Sequence, residues 1–250
     1  MSASALDLRD GMPEWFPPLM VLELRQGLRS AVFTWGYLLL LGGAGVLGAF
    51  TLLRGLDSPL TELEVTRQFL GTQFLWLSMG CVVFIPVTVF LRATGRAIFD
   101  VTEHLLLAGL TPGSQALGRF WAAGASLLML TSAFLPTIAL AQVLGGFDPL
   151  SVIYLLTAVP LFGWVGSGVA LAWAVMFKRG LSITLGLGLL AFGLALLWGF
   201  CFNLCAWLIT DPGQMYTSSF VASNVFFLMI GAYAACFGIG LASSSGWHRR

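Results

Sequence analysis

The sequence predicts an all-α integral membrane protein with six transmembrane helices. Of its 250 residues, 58% are hydrophobic and only 9% are charged, whereas an ordinary soluble domain carries about 25% charged residues. The charged side chains lie outside the long apolar stretches or at their edges. This distribution is typical of membrane spans, because a charge at the bilayer centre costs about 2.5 kcal/mol or more. The net charge of +1 gives no indication of a nucleic-acid partner, and we expect none.

Six apolar segments reach the length of about 20 residues that a helix needs to cross the hydrocarbon core. They comprise approximately residues 31–53, 69–91, 121–144, 151–177, 181–209 and 220–242. We assign 1–30 to the cytoplasmic N-terminus, 31–242 to the transmembrane domain and 243–250 to a cytoplasmic tail. The fifth segment is longer than a perpendicular crossing needs. Its end at 203–209 is either part of a tilted helix or a shallow re-entrant piece.

The basic residues predict that both termini are cytoplasmic. In that orientation ten of the twelve basic residues face the cytoplasm, and only Arg54 and Arg67 face the other side. The cytoplasmic ten are Arg9, Arg25, Arg29, Arg92, Arg96, Arg119, Lys178, Arg179, Arg249 and Arg250. The acidic residues divide almost evenly, and the basic ones are those that set topology. The N-terminus lacks the pattern of a cleavable signal peptide, so we expect the first span to drive insertion.

A short amphipathic helix is predicted just before the first span. After Pro18, leucines and a valine alternate with Glu23, Arg25, Gln26 and Arg29, in a pattern that favours a helix along the inner membrane surface. The alternative is a frayed cytoplasmic extension of the first span.

The connection between spans two and three is the longest inner loop, and it also has a helical pattern. This pattern runs from Ile98 to Ala108, with Asp100 and Glu103 in its early turns, where acidic residues suit the helix dipole. Leu110-Thr111-Pro112-Gly113 then interrupts it, and Ser114 can cap a following turn. Such a segment at the inner face could contact a soluble partner. The alternative is a solvated linker.

Prolines and small residues mark several spans. Pro86, Pro136 and Pro160 lie within or near the interior of spans, where each removes a backbone donor. Proline is commonly tolerated in membrane helices, and the other interpretation is a hinge used in transport. Gly163 and Ser167 are spaced for close helix packing.

The two cytoplasmic segments resemble the permease subunits of type-2 ABC transporters. Glu23-Leu24-Arg25-Gln26 is similar to the elbow helix of that family, which often reads as a Glu-Leu-Arg-Gln stretch before the first span. The inner loop is similar to the family's pattern of an acidic residue, leucines, a Thr-Pro-Leu-Ser-like turn and Gly-Lys. The matching segments are Thr102-Glu103-His104-Leu105-Leu106-Leu107, Leu110-Thr111-Pro112-Gly113-Ser114 and Gly118-Arg119. It departs from that pattern with Gly113 after the proline and with Arg119 where lysine is usual.

This resemblance implies a permease subunit of an ABC exporter in the cytoplasmic (inner) membrane of a prokaryote. Two permease subunits, as a homodimer or a heterodimer, would form the translocation path, driven by a separate ATP-binding-cassette ATPase that carries ATP and Mg. The loop 97–118 would act as the coupling helix. The residues implied in the ATPase contact are Asp100, Glu103, His104, Thr111, Pro112 and Arg119. The elbow residues are Glu23, Arg25, Gln26 and Arg29.

Other function classes have little support in the sequence. Lys178 is the only lysine, and its surroundings are not a Gly-rich phosphate loop, so we expect no ATP hydrolysis by this chain and no catalytic residue in it. Neither His104 nor His248 falls at membrane depth, as haem ligands would. The cysteines are predicted to pack as small apolar residues, and we expect neither a metal site nor a cofactor in this chain. The alternative function is a non-transporting membrane anchor or assembly subunit of a larger complex.

Overall fold

The structure, a computed structural model, is helical in the part of the chain that it describes, apart from Ser30 and Asp148. It describes residues 18–57, 62–94, 112–145, 148–176 and 181–210, and five single positions between 229 and 240. Within these ranges the α-helices are α1 (Pro18–Arg29), α2 (Ala31–Asp57), α3 (Glu62–Ser78), α4 (Ile85–Thr94), α5 (Pro112–Gly145), α6 (Pro149–Met176) and α7 (Leu181–Thr210). A π-helical turn, Met79–Phe84, joins α3 to α4.

Five helices of the described chain are long and apolar enough to cross a membrane, which confirms an all-α fold of the membrane type. The candidate spans are Ala31–Arg54, Glu64–Thr94, Gln115–Val143, Pro149–Ala174 and Gly186–Cys205. They coincide with the first five predicted spans. The sixth, 220–242, falls outside the described residues except for Met229, Gly231, Tyr233, Cys236 and Gly240, each of which is helical.

Three of the spans form the centre of the bundle. Large side chains of α3, α5 and α6, among them Phe74, Phe134 and Phe162, are almost completely buried against each other. By contrast, only 17% of the most apolar window of α2 and 22% of that of α7 are buried. The apolar residues on these two helices therefore point outward, as side chains that face lipid do.

Ser30 separates α1 from the first span. Its Oγ donates a hydrogen bond to the Gly27 carbonyl over 2.8 Å and accepts one from the Phe33 N–H over 3.3 Å. One hydroxyl therefore satisfies both a carbonyl at the end of α1 and a free amide at the start of α2, as a capping residue does. The α2 helix begins directly after it, at Ala31.

The π-helical turn ends two residues before Pro86, one of the three prolines noted in the sequence. Proline has no N–H and its ring clashes with the carbonyl four residues earlier, so a regular α-helix cannot continue unchanged through it. Here the Ile85 N–H bonds to the Gly80 carbonyl, five residues back, which is the π spacing. Gly163 of α6 packs on this turn, since a Cβ there would stand 2.8 Å from the Cys81 carbonyl carbon. This close approach agrees with the small-residue spacing noted in span four.

One buried polar cluster connects α2, α3 and α5 within the bundle. Gln73 is 2% exposed, and its Nε2 donates to the Ala44 carbonyl over 3.2 Å. Thr137 Oγ1 lies 3.3 Å from Gln73 Oε1 and 2.8 Å from the Phe134 carbonyl oxygen, and its single proton is shared between these two acceptors. Both ends of the Gln73 amide are thus satisfied, as a polar group away from water requires.

Candidate functional site

The candidate site is a charged junction between α1, α4 and α5, defined by Glu23, Arg92 and Arg119. Arg92 lies in the last turn of α4, and Arg119 lies in the second or third turn of α5. The end of one span and the start of the next must lie on the same side of the bundle, whichever side of the membrane that is. The three residues therefore mark one end of the membrane domain.

A salt bridge fixes α1 to α5 at this junction. The Arg119 Nε donates to Glu23 Oε1 over 2.8 Å, and the two side chains are only 18% and 11% exposed. A charge-assisted bond in such a partly buried position is stronger than a surface ion pair, because water screens it less. On the same helix Arg25, Gln26 and Arg29 are exposed.

The local sequence explains why Glu23 turns inward. Where the burial of α1 is described, Met20, Val21, Glu23 and Gly27 are its buried residues. Met20, Glu23 and Gly27 are three and four residues apart, so they lie on one face of the helix. That face packs mainly on α5, which brings Glu23 to Arg119. An acidic residue in this stripe is tolerated because the arginine compensates its charge.

Arg92 completes the junction, and within the described ranges it makes no salt bridge of its own. Its Cζ lies 5.8 Å from the centroid of the Phe33 ring, which is within cation–π range. The guanidinium also lies directly on α1, since a Cβ built on Gly27 would stand 2.6 Å from Arg92 Nη2. The Nη2 atom is buried, and it has no hydrogen-bond partner among the described residues.

A small cavity of about 20 Å³, partly open, lies between these residues. Its polar lining consists of Glu23, Arg92, Arg119, Thr88 and Ser126. The Thr88 hydroxyl donates to the Ile85 carbonyl, and the Ser126 hydroxyl donates to the Ala122 carbonyl. The cavity has room for a single oxygen-sized group.

Several predicted site residues fall outside the junction. Asp100, Glu103, His104 and Thr111 lie outside the described residues, so the predicted coupling helix stays a prediction. Pro112 is the first residue of α5, which begins nine residues before the predicted start of span three. Proline suits this position because its fixed φ is helical and its missing N–H would have no intrahelical partner there. The segment 112–118 therefore continues into the spanning helix rather than forming a separate turn.

The sequence singled out Glu23 and Arg119 but did not indicate that they pair. For Arg92 the sequence indicates only a contribution to membrane orientation, and it indicates no role for Phe33 or Gly27. The one local signal for Arg92 was a basic residue at the end of an apolar span. Comparison of the chain with known protein families, with curated proteins and with solved structures gives no match.

Proposed function

We propose that this chain is the permease subunit of an ABC exporter and forms half of a translocation path. A separate ATP-binding-cassette ATPase drives it, with ATP and Mg bound there, and a second permease subunit completes the path. The chain resides in the inner membrane of a prokaryote with both termini in the cytoplasm.

The observation that supports this proposal best is the salt bridge between Glu23 and Arg119. The two segments that resemble type-2 permeases are far apart in the sequence, and this bond joins them. Glu23 opens the Glu-Leu-Arg-Gln stretch, and Arg119 ends the Gly-Arg motif that closes the inner loop. In a permease of this kind, the loop has to be attached rigidly to the membrane domain. A conformational change of the ATPase is transmitted to the spans only through a rigid connection.

The helical architecture also agrees with this function. The described spans pack as a bundle whose outer helices expose apolar side chains, as in a multi-pass membrane protein. A mobile transport path needs helices that can change their packing, and Pro86 together with its π-helical turn provides an irregular point in the second span.

Affinity purification from native membranes in a mild detergent tests the proposal. The wild-type chain should recover a protein with a phosphate-binding loop, and the charge reversal Glu103→Arg should reduce that recovery at least several-fold. Arg54→Glu is the matched control, since Arg54 ends the first span at the opposite end from Ser30, and it should leave recovery unchanged. Recovery of other membrane proteins but of no such ATPase from the wild type would support the anchor function instead.

A further inference from the structure

The charges of the junction do not balance. Arg92 and Arg119 bring two positive charges to a partly buried place, and Glu23 brings one negative charge. Glu23 bonds directly to Arg119 and attracts Arg92 only through space. Buried charges in proteins are normally paired and hydrogen-bonded, because removing them from water is costly. Among the described residues, one positive charge at the junction therefore lacks a partner of opposite charge.

The unsatisfied group is a specific atom. Nη2 of Arg92 is buried without a hydrogen-bond partner in the described part of the chain, and Arg92 lines the cavity. Because Thr88 and Ser126 use their hydroxyl protons on carbonyls of their own helices, their oxygens face any ligand as acceptors. The donors that remain for a ligand at the cavity therefore belong to the arginines, and their two positive charges exceed the single negative charge of Glu23, which favours an anion.

We infer that the junction binds a phosphate group, with one phosphate oxygen in the cavity on Arg92. Guanidinium groups match phosphate oxygens in geometry and charge. The cavity holds only one oxygen-sized group, so the rest of the phosphate lies at its open side. This inference stands independently of the proposed transport function.

Two sources can supply this chemistry, a phospholipid headgroup or free phosphate. The position favours the lipid, since the junction lies where two spans end, at the level of the headgroups. The same helix ends also expose Leu28, Leu91 and Leu117, which suit acyl chains.

Thermal unfolding of the purified full chain in detergent separates the two sources. Phosphatidylglycerol is compared with diacylglycerol, which has the same acyl chains but no phosphate, and inorganic phosphate is compared with chloride at equal ionic strength. A ligand that fills the site at several times its dissociation constant should raise Tm by about 2–4 °C. A response to phosphatidylglycerol alone identifies the lipid headgroup, and a response to inorganic phosphate identifies the free anion. No response to either probe would overturn the inference.

Variants connect the response to the junction. Arg92→Gln should weaken binding by at least about tenfold, because it removes a charge-assisted hydrogen bond. Arg92→Lys keeps the positive charge and should retain part of the binding affinity. Arg25→Gln changes an exposed arginine of α1 and should bind with the affinity of the wild type. An unchanged response in Arg92→Gln would contradict the assignment. If that variant does not fold, native mass spectrometry of the wild type and of Arg25→Gln decides the matter, since both should retain a phosphate-containing ligand and its absence would overturn the site.

Discussion

The Arg119 Nε lies 2.8 Å from Glu23 Oε1 and donates a hydrogen bond to it, although 96 positions separate the two residues in the chain. The bond joins α1, which precedes the first span, to α5, whose N-terminal end follows the connection between spans two and three. A movement of α5 therefore carries α1 with it unless the bond breaks. This coupling of two helices at one end of the bundle is the basis of the account given above.

The bond should contribute measurably to stability. Glu23→Gln leaves Arg119 and Arg92 without a carboxylate, so we expect it to lower the free energy of unfolding by about 1–3 kcal/mol. Arg119→Gln should have a similar effect, and the double variant should lose less than the sum of the two. Denaturant titration in mixed micelles measures all three, with Arg25→Gln as a control that changes stability by no more than about 0.5 kcal/mol. Strictly additive losses would contradict the pairing.

The packing of Gly163 on the π-helical turn leads to a second prediction. Gly163→Ala places a methyl group 2.8 Å from the Cys81 carbonyl carbon, so α6 has to move. The expected cost is about 1–3 kcal/mol in the free energy of unfolding. Gly193→Ala on α7 is the control, because nothing lies within 4 Å of a Cβ there. It should be neutral or stabilising by up to about 1 kcal/mol, since alanine favours a helix. Equal changes in the free energy of unfolding for the two substitutions would show that the π-helical turn moves aside at no measurable cost, and would contradict the prediction.

The buried Gln73 cluster provides a third prediction, measured with a double-mutant cycle. Gln73→Leu and Thr137→Val remove the two partners of one hydrogen bond, and their coupling energy should be about 0.6 kcal/mol, the average for such bonds in membranes. Gln68→Leu, at an exposed position of the same helix, should not destabilise the protein. A coupling energy of zero would mean that Thr137 and Gln73 act independently.

The fourth prediction concerns the sixth span and the orientation. Reporter domains that work on only one side of the membrane are fused after residue 250 and, separately, before residue 1. With six spans and the observed distribution of basic residues, both reporters should be active in the cytoplasm. An odd number of spans would place the two termini on opposite sides. Opposite activities of the two fusions would therefore refute the sixth crossing.

The positions of the spans could be predicted from the sequence, but the contacts between the helices could not. Apolar length predicted the first five spans to within a few residues at most ends, because lipid imposes length and composition on each span separately. The prediction placed the start of the third span at about residue 121, whereas α5 begins at Pro112. A polar segment at the end of a span has the composition of a loop even when the helix continues through it. The sequence shows that Pro86 interrupts the hydrogen bonding of the second span. It does not show that the backbone accommodates this proline with a π-helical turn, because that depends on the surrounding packing. The approach of Arg92 to Gly27 and the pairing of Glu23 with Arg119 depend on tertiary packing, which no local pattern encodes.

The most direct test of the central claim is site-specific crosslinking at the inner loop. A photoreactive amino acid is introduced in place of His104 in one strain and in place of Arg54 in another, and both are irradiated in intact membranes. The chain labelled at position 104 should crosslink to a protein with a phosphate-binding loop, and the chain labelled at position 54 should not. Crosslinking of position 104 to lipid or to other membrane proteins, with no such ATPase among the products, would contradict it.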